Sequence, residues 1–577
     1  MKILSLHNTH DAGATLFDDW NLIFASKEER LNRIKQSEGF PHLSWDKLTQ
    51  MVPAHAIDVV VLPHHWRLPY RYFLTQPRHK QAERWISERL KGKKGDGKGL
   101  CVYEEMCRTQ RSEEEICNIR PYLRSLGLRP NVEIAWSNHH RSHALLPLYY
   151  SPAWNEALLM TADGGGDHLY YSAYALQKDR LIEHHGGDGH LYTYQHEVKA
   201  ASLGNMYSQI TEIAGFTPNR HEGKITGLAA FGKPTGYDEL RGQYFIDDKG
   251  VIRSKFKSLT EMVQFLRLMH QRDGIENLAA TGQKVLEEVM LASALRLLEL
   301  YPAKALGLCG GVFANVRLNQ VLAERSGVDE VFIYPAMGDE GLPLGSVLDY
   351  LLRRYGIREF LHQRRELGTI YYGDKISAAG IKETLPAGFR LQEVADIPGE
   401  AAVLLQKGGI GAIFTQGMEW GPRALGARTI LATPAHAEIN RTLNHRLTRT
   451  EFMPFAPVVR KERLHEVFEI SERMVRAARY MTITCAVKAL WKEKIPAVVH
   501  VDGTARPQWI AREDNPLYYD TIEAFEKVSG LPVLINTSFN AHEEPIINTF
   551  PEALKALADK RVDFLLTDAG LVFRKED

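Results

Sequence analysis

The sequence predicts an α/β protein of two domains, and three observations lead to this prediction. Apolar segments repeatedly end in glycine-rich turns, as in EALLMTADGGGD and KALGLCGGVFAN. Helical periodicity fills stretches between them, for example 277–300. The 577-residue chain is also too long for one hydrophobic core. Because the pattern breaks at a charged stretch, we predict a first domain at 1–355, a linker at 356–368 and a second domain at 369–577.

Composition and charge argue against several classes of protein. The 44% hydrophobic and 25% charged residues are ordinary for a globular chain. The 71 basic residues balance the 71 acidic ones, so no overall field attracts nucleic acid or an anionic membrane. The first residues are too polar for a secretory signal, and no apolar run is long enough to span a membrane. Five cysteines without a C-x-x-C pair indicate reduced thiols, and we expect a cytoplasmic enzyme.

The first domain shows signs of an internal duplication. Apolar strands at 2–7 and 14–25 flank a tight turn, and a similar strand leads into a turn at 156–167. Further glycine-rich turns follow at 304–315 and 338–345. Glycine lets a backbone approach a ligand closely, so these turns can direct N–H groups at phosphates.

Two other regions have clear patterns. The charged insertion at 66–125 is either a partner surface or a solvated helical excursion. In the second domain, strands are predicted within GGIGAIFTQG, ARYMTITCAV, LPVLINTSF and VDFLLTD. Helices are predicted at roughly 396–407, 519–529 and 550–560.

The segment NHHRSHALLP raises the question of a metal site. With 23 histidines, chance alone gives roughly one His-x-x-x-His pair in the chain. On a helix, however, positions i and i+4 share a face, so His139 and His143 can meet one cation. Asp163, at a strand end, can supply an oxygen ligand. The residues alone leave two interpretations open, a metal site or two surface or capping histidines.

The longer motifs, taken in order, resemble the O-carbamoyltransferase family of nodulation-factor and antibiotic-tailoring enzymes. The first half carries THDAGATL, KEERLNRIK, NHHRSHA, TADGGGD, EGKITGLAAFGKP, LCGGVFAN and MGDEGLPLGS. The second half carries MEWGPRALGARTILATP, EFMPFAPVVR, HVDGTARPQ and INTSFNAHEEPI. These blocks span almost the whole chain.

The resemblance implies both a fold and a reaction. The first domain is expected to have the actin/sugar-kinase/Hsp70-like fold, and the second a YrdC-like α/β fold. The second domain would make carbamoyladenylate from carbamoyl phosphate and ATP. The first domain would then transfer the carbamoyl group to an acceptor hydroxyl of a natural product, such as an antibiotic or another sugar-bearing compound.

The resemblance also implies a ligand set. It places His139, His143, Asp163 and Asp339 around iron(II) or another divalent ion, with Mg²⁺ as a further candidate. Asp339 can alternatively be a turn carboxylate that caps a helix. His140 lies off the shared face and is not counted as a ligand.

The resemblance further assigns catalytic and acceptor residues. His10 is expected to be the general base, because a group that titrates near neutrality suits removal of a hydroxyl proton. Asp11 would orient the ring or the acceptor, and Lys35 would contact the acceptor. The alternatives are a histidine that caps the hairpin turn and a lysine that is simply solvated. Lys27 stands where the family usually has an acid, which affects the acceptor mouth rather than the reaction class.

Nucleotide and carbamoyl phosphate ligands are predicted in both domains. In the first domain they are Gly164, Gly165, Gly310, Gly311 and Asn315. In the second domain, guanidinium forks suit phosphate and hydrogen-bond donors suit carbamoyl oxygens. The predicted residues there are Arg423, Arg428, Arg449, Arg506, Asn536, Ser538 and Asn540. Thr448 stands near a position where many members carry lysine, so Arg449 depends on the alignment.

The remaining expectations concern partners and rival functions. The acceptor is predicted to be a small molecule, and the chain a monomer or homodimer. A carbamoyladenylate decomposes in water, so we expect a buried passage between the arginines and the metal site. The rivals are a fused threonylcarbamoyladenosine tRNA-modifying enzyme and a non-enzymatic nucleotide-binding regulator.

Overall fold

The structure is a computed structural model that describes residues 1–63, 123–167, 169–188, 199–449 and 453–575. The charged insertion predicted at 66–125 therefore lies almost entirely outside the described residues. Gly127, which follows this insertion, has a φ of 86°, as a glycine that ends a helix usually does.

The amino-terminal half contains two five-stranded sheets of the same topology. Their orders are β3-β2-β1-β4-β5 and β8-β7-β6-β11-β12. In the first sheet, β1 is antiparallel to β2 and parallel to β4. In the second sheet, β6 is likewise antiparallel to β7 and parallel to β11. The strands of the first sheet are β1 Lys2–His7, β2 Gly13–Asp18, β3 Asn21–Lys27, β4 Val59–Leu62 and β5 Glu133–Trp136. Those of the second sheet are β6 Glu156–Gly166, β7 Leu169–Gln177, β8 Arg180–His185, β11 Ala305–Cys309 and β12 Glu330–Ile333.

The repeated topology confirms the internal duplication that the sequence predicts. It also agrees with the actin-like fold that the resemblance implies for this half. Strands β1 and β11, neither of which is at a sheet edge, are buried along almost their whole length, which explains why they appear in the sequence as apolar runs rather than alternating patterns. A two-stranded ribbon, β9 Tyr244–Ile246 with β10 Ile252–Ser254, lies outside the two sheets.

Helices pack against these sheets, and the predicted helix at 277–300 is confirmed. The longer described helices of this half are His42–Met51, His139–Tyr149, Leu203–Ile213, Leu259–Asp273, Ile275–Leu300, Val316–Arg325 and Leu342–His362. The shorter ones are Glu28–Asn32, Glu222–Leu228 and Tyr237–Arg241.

The carboxy-terminal half is built on one mixed eight-stranded sheet with the order β13-β23-β22-β14-β15-β21-β16-β20. Its strands are β13 Phe389–Gln392, β14 Gly411–Phe414, β15 Arg428–Ala432, β16 Ala456–Arg460, β20 Gln508–Ile510, β21 Val533–Ser538, β22 Phe564–Thr567 and β23 Gly570–Arg574. A small sheet contains β17 Phe468–Glu469, β18 Cys485–Val487 and β19 Thr504–Ala505. The described helices are Ala378–Thr384, Ile397–Gln406, Ile439–Arg446, Leu464–Val467, Glu472–Ala478, Ala489–Lys492, Pro516–Ser529 and Phe550–Ala558.

Most predicted elements of this half are present, and two expectations need correction. In ARYMTITCAV only Cys485–Val487 is a strand. The segment predicted as a linker is not one throughout, because the helix Leu342–His362 continues into it across a break at Gly356, where φ is 83°. The two halves also share one large buried core, so no exposed hinge separates them at this point.

No helix in the described part of the chain combines the length and apolarity needed to cross a membrane.

Candidate functional site

Four residues from three segments meet near the carboxyl-terminal end of β6. His139 and His143 lie on the helix His139–Tyr149, Asp163 lies in β6, and Asp339 opens a short turn before the next helix. One ligand atom of each lies within 4.8 Å of those of the others. The Nε2 atom of His143 is 3.4 Å from Asp163 Oδ2 and 3.5 Å from Asp339 Oδ1. Two imidazoles and two carboxylates in this arrangement suit a divalent cation.

The electrostatics of the cluster fit a positive charge at its centre. Burial opposes the ionisation of Asp163, yet the nearby imidazoles of His139 and His143 hold the pKa of this carboxyl well below its usual range. The Nε2 atom of His143 is buried and lacks a hydrogen bond of good geometry. An orphaned ring nitrogen that faces two carboxylates is the arrangement expected of a metal ligand.

Neighbouring groups orient the two histidines. Asn138 caps the helix by accepting from the backbone N–H of Arg141, which fixes where the helix begins. The thiol of Cys309 donates to the carbonyl oxygen of Met337, and its sulfur lies 3.5 Å from His143 Nδ1. Because the sulfur can accept the Nδ1 proton, the Nε2 lone pair of His143 is directed at the cluster.

Replacing Cys309 by alanine is therefore expected to weaken metal binding without removing a ligand. Loss of an orienting partner typically lowers metal affinity about 10- to 100-fold. Metal content after dialysis and competition with a chelator would measure the change. Cys485→Ala is the matched control, since this thiol is equally buried in the other half. An unchanged affinity in the Cys309 variant would show that the sulfur does not orient His143.

Glycines give the cluster its close packing. A Cβ on Gly166 would lie 2.2 Å from the ring of His139, so only glycine fits there. Gly310 has a φ of 107°, and a Cβ would meet the carbonyl oxygen of Ala162. The Gly311 N–H donates to Asp163 Oδ2 at 3.2 Å. Gly165, with a φ of 148°, is likewise a turn glycine, so turn geometry by itself accounts for Gly165 and Gly310.

His140, the neighbour of the first ligand, is confirmed to lie off the shared face. Its Nδ1 is 2.7 Å from Thr161 Oγ1 and its Nε2 is 3.1 Å from the carbonyl oxygen of Leu169. Burial lowers the pKa of His140 to about 3. The ring is a neutral part of the core.

This buried ring predicts acid sensitivity. A histidine whose folded pKa is below its unfolded value of about 6.5 stabilises the fold fully above pH 6.5, and this contribution is lost as the pH falls toward the folded pKa. We expect about 3 kcal/mol to be lost between pH 6.5 and pH 4 from His140 alone. Urea unfolding at several pH values would measure it. A flatter profile in His140→Gln is expected, and an equally steep profile would refute the assignment.

His10 and Asp11 lie at the end of β1, beside the ligand cluster. The Nε2 atom of His10 is 3.6 Å from Asp339 Oδ2, and the carboxylates of Asp339, Asp11 and Asp163 raise the pKa of His10. Asp11 has a φ of 64° and accepts from the ammonium of the buried Lys27 at 2.8 Å. The His10 side chain is 45% exposed and lines a cavity rather than being buried in the turn.

The sequence alone did not predict the charged network behind Asp11. Lys27 is 3.4 Å from Glu29, and Glu29 is 2.9 Å from Arg30. Although burial opposes it, Asp11 and Glu29 raise the pKa of Lys27. Lys27, which stands where the family usually has an acid, thus forms an ion pair with Asp11. The signal that could have revealed it is the dense run of charges in KEERLNRIK.

Asn315 caps a helix and also faces the cavity. Its Oδ1 accepts from the Leu318 N–H at 3.0 Å, and its Nδ2 donates to Gln283 at 2.8 Å. Gln283 in turn accepts from the hydroxyl of Tyr207 at 2.6 Å. The network is a polar wall suited to the hydroxyls or amides of a ligand.

Arg423 and Arg506 form a pair of cations in the second half. Among the described residues, neither guanidinium makes a hydrogen bond or an ion pair, and both Nε atoms are buried. Burial and the charge of Arg423 lower the pKa of Arg506 well below its usual range. Because guanidinium stays protonated at every relevant pH, this lowering reflects unfavourable energy that a bound anion would relieve.

Arg428 is the clearest correction to the predicted set. Its guanidinium donates to the carbonyl oxygens of Thr415, Asp374 and Asn548, and it lies 3.8 Å from the ring centre of Phe414. It is fully buried. With its donors satisfied by backbone carbonyls of three loop segments, Arg428 joins those loops and has no donor left for a phosphate.

The other predicted residues of this half cluster along β21. Arg449 donates to Thr537 Oγ1 at 2.7 Å, to Ser538 Oγ at 3.1 Å and to the Asn540 carbonyl oxygen at 2.9 Å. Asn536 donates to the carbonyl oxygen of Ala424, next to Arg423, and its Oδ1 is buried without a partner. These contacts bring Arg449, Ser538 and Asn540 together, and they place Asn536 against the backbone of the turn that carries Arg423.

One cavity connects residues of both halves. It has a volume of about 400 Å³ and is lined by several predicted residues. They are His10, Asp11, Lys35, Asp163, Gly164, Gly311, Asn315, Asp339 and Arg423. Arg506, Gly165 and Gly310 are not among its lining residues. Lining residues that the sequence did not predict include Arg220, Glu340 and Glu543.

The duplicated sheets, the cluster of potential ligands and the shared cavity define an α/β protein with a candidate active site in a cleft lined by both halves. The chain belongs to the carbamoyltransferase family. The family's amino-terminal model, "Carbamoyltransferase N-terminus", matches residues 2–348, and "Carbamoyltransferase C-terminus" matches residues 402–574. The protein is thus a transferase.

Relatives support this membership along the chain. An uncharacterised protein of Methanocaldococcus jannaschii is 34% identical over 77% of this chain and 74% of its own length. Nodulation protein NolO of Bradyrhizobium diazoefficiens is 30% identical over 76% of this chain and 79% of its own. Nodulation protein NolNO of Sinorhizobium fredii is 28% identical over 99% of this chain and 80% of its own.

Solved structures are more distant. The activator of the 2-hydroxyisocaproyl-CoA dehydratase from Clostridium difficile with bound ADPNP is similar over 64% of this chain and 100% of its own, with 9% identity and a TM-score of 0.32. A similarity this low supports no conclusion about function.

Proposed function

We propose that the protein is an ATP-dependent O-carbamoyltransferase that works in two steps. In the carboxy-terminal domain, proposed to be YrdC-like, carbamoyl phosphate, ATP and one water give carbamoyladenylate, phosphate and pyrophosphate. In the amino-terminal domain, an acceptor hydroxyl attacks the carbamoyl carbon, and the carbamate ester and AMP are formed. The acceptor is proposed to be a small molecule that carries a hydroxyl group.

The observation that carries this proposal is the shared cavity. It joins Arg423 of one half to the ligands Asp163 and Asp339 of the other. A carbamoyladenylate formed beside the arginines could reach the second site without entering bulk water. The buried passage between the arginines and the metal site stays a prediction, since Arg423 lines this cavity and Arg506 does not.

The arginines would bind the anionic substrates of the first step. Arg423 and Arg506 have no counter-ion among the described residues, so a phosphate would supply the missing charge. Asn536, with its unpartnered Oδ1, can accept from the carbamoyl NH₂ group. Arg449, Ser538 and Asn540, which contact one another, would form the rest of this anion-binding site.

The first domain would position the acceptor and remove its proton. His10 would take the hydroxyl proton at Nε2, with Asp11 beside it to orient the acceptor. The cluster of His139, His143, Asp163 and Asp339 fits iron(II) or another divalent ion, which when bound would neutralise nucleotide phosphate charge. Gly164, Gly311 and Asn315 would line the nucleotide.

Incubation of the purified chain with carbamoyl phosphate and ATP tests the first step. Pyrophosphate release without added threonine or tRNA is expected. Release only with threonine and bicarbonate would instead indicate the tRNA-modifying rival. No AMP with any acceptor would indicate a nucleotide-binding regulator. Mass spectrometry of products from a panel of alcohols, with the gain of one carbamoyl group as readout, tests the second step.

A further inference from the structure

The segment that carries Lys35 is held in an unusual backbone geometry. Arg33 and Gln36, on either side of it, have φ values of 63° and 51°. Left-handed conformations cost free energy in residues other than glycine, and they persist where surrounding contacts impose them. A short stretch with two such residues is therefore fixed by its neighbours.

Contacts from both halves of the chain fix it. The side chain of Arg33 donates to the carbonyl oxygens of Ile546 and Pro545 at 2.8 and 2.7 Å. Arg220 donates to the carbonyl oxygen of Lys35 at 2.9 Å and to the side chain of Gln36 at 2.6 Å. The backbone around Lys35 is thus anchored before and after this residue.

Arg220 is itself fixed by the second half. It donates to Glu543 Oε2 at 3.0 Å, and the Nε2 atom of His221 lies 2.8 Å from Glu543 Oε1. His221, His542 and Glu543 could be mistaken for a second metal site. However, the Thr217 N–H donates to His221 Nδ1, so the proton of the neutral ring is on Nε2 and donates to Glu543. His221 and Glu543 are therefore joined by a hydrogen bond rather than by a metal ion, and Glu543 lines the cavity.

The Lys35 side chain contrasts with this anchored backbone. It lines the cavity, half-buried, and its ammonium has no hydrogen bond or ion pair among the described residues. Glu29 and Asp11, the acids whose charges act on Lys35, are already paired with Lys27. Burial lowers the pKa of Lys35 to about 8. An unpaired, partly desolvated cation at a fixed position favours a negative ligand.

We propose that Lys35 binds an anionic group of the acceptor, a carboxylate or a phosphate, close to the hydroxyl that receives the carbamoyl group. This inference deepens the proposed function and rests on it. An uncharged hydroxyl would leave the charge of Lys35 uncompensated, whereas a carboxylate or a phosphate beside its ammonium would balance it. The charged groups that act on Lys35 are Glu29, Arg30, Lys27 and Asp11, on the His10 side of the cavity, which favours the acceptor over the nucleotide as its ligand.

Binding of three matched sugars to the full chain tests the proposal. Glucuronate, glucose 6-phosphate and glucose would be titrated by calorimetry into wild type, Lys35→Met and the control Lys382→Met, an exposed lysine of the other half that pairs with Glu393. We expect at least one anionic sugar to bind wild type and the control at least about tenfold more tightly than glucose, and to lose this advantage in Lys35→Met. The sugar that binds identifies the carboxylate or the phosphate as the recognised group.

Three results would overturn the proposal. They are equal binding of glucose and both anionic sugars, anionic binding that survives in Lys35→Met, and, when ATP is titrated into the same proteins, a loss in Lys35→Met of ATP binding alone. Pyrophosphate release from carbamoyl phosphate and ATP, measured without acceptor in the same proteins, separates the two hypotheses. If wild type releases none, the proposed reaction fails while the sugar titrations still decide the role of Lys35.

Discussion

Replacing Arg506 by methionine is expected to abolish most of the first chemical step while leaving the fold as stable as before, or more stable. The side chain has no partner among the described residues and lies close enough to Arg423 for the two charges to repel. Removing it relieves that repulsion, so the free energy of unfolding should not fall by more than about 1 kcal/mol. A charged hydrogen bond to substrate contributes about 1.5–3 kcal/mol, so pyrophosphate formation should slow about 10- to 150-fold.

Thermal unfolding with inorganic phosphate provides a second readout for this variant. A ligand that binds only the folded state raises its stability by mass action. Phosphate should therefore stabilise wild type and not Arg506→Met. Arg512→Met is the control, because Arg512 is exposed and already pairs with Asp520. Full activity in Arg506→Met, or a loss of stability comparable to that of a core substitution, would contradict the assignment.

Replacing Asp339 by asparagine is expected to abolish the second chemical step, carbamoyl transfer, and to spare the first. The carboxylate lies 3.5 Å from His143 Nε2 and 3.6 Å from His10 Nε2, so the change removes a predicted metal ligand and a neighbour of the proposed base. Metal affinity should fall at least about 100-fold, because loss of an orienting group alone costs up to that amount. Carbamoyl transfer should be lost with it, while pyrophosphate formation in the other half continues.

Metal content by elemental analysis and the ratio of carbamoylated product to pyrophosphate measure this outcome. Asp329→Asn is a matched control, since Asp329 is an exposed aspartate ten residues earlier. Wild type treated with a chelator should behave as Asp339→Asn does. If Asp339→Asn retains both metal and transfer, the ligand cluster is not the transfer site.

Several features of the fold follow from local sequence. Apolar segments that end in glycines specify the strands β6 and β11, and the spacing of His139 and His143 puts both rings on one face of a helix. Gly310 illustrates a requirement that sequence alone can suggest, because its φ of 107° suits only glycine. These features depend on periodicity and conformational preference over a few residues.

The arginines illustrate what local sequence could not decide. Arg423 and Arg428 stand in one compact turn, GPRALGAR, and both suited an anion. Arg428 instead donates to carbonyl oxygens at Asp374 and Asn548, while Arg423 has no such partner. The difference depends on chain segments far away in sequence, so no local pattern contains it.

The sequence by itself determined the class of fold, the duplication of the first half, and the types of residue that could bind metal and anions. Only the tertiary structure decided which of those residues face one cavity and which make all their hydrogen bonds within the protein. The physical reason is that propensity and periodicity act between neighbours in the chain, whereas burial and pairing depend on groups such as Glu543 and Arg220, which are brought together only by packing of the two halves.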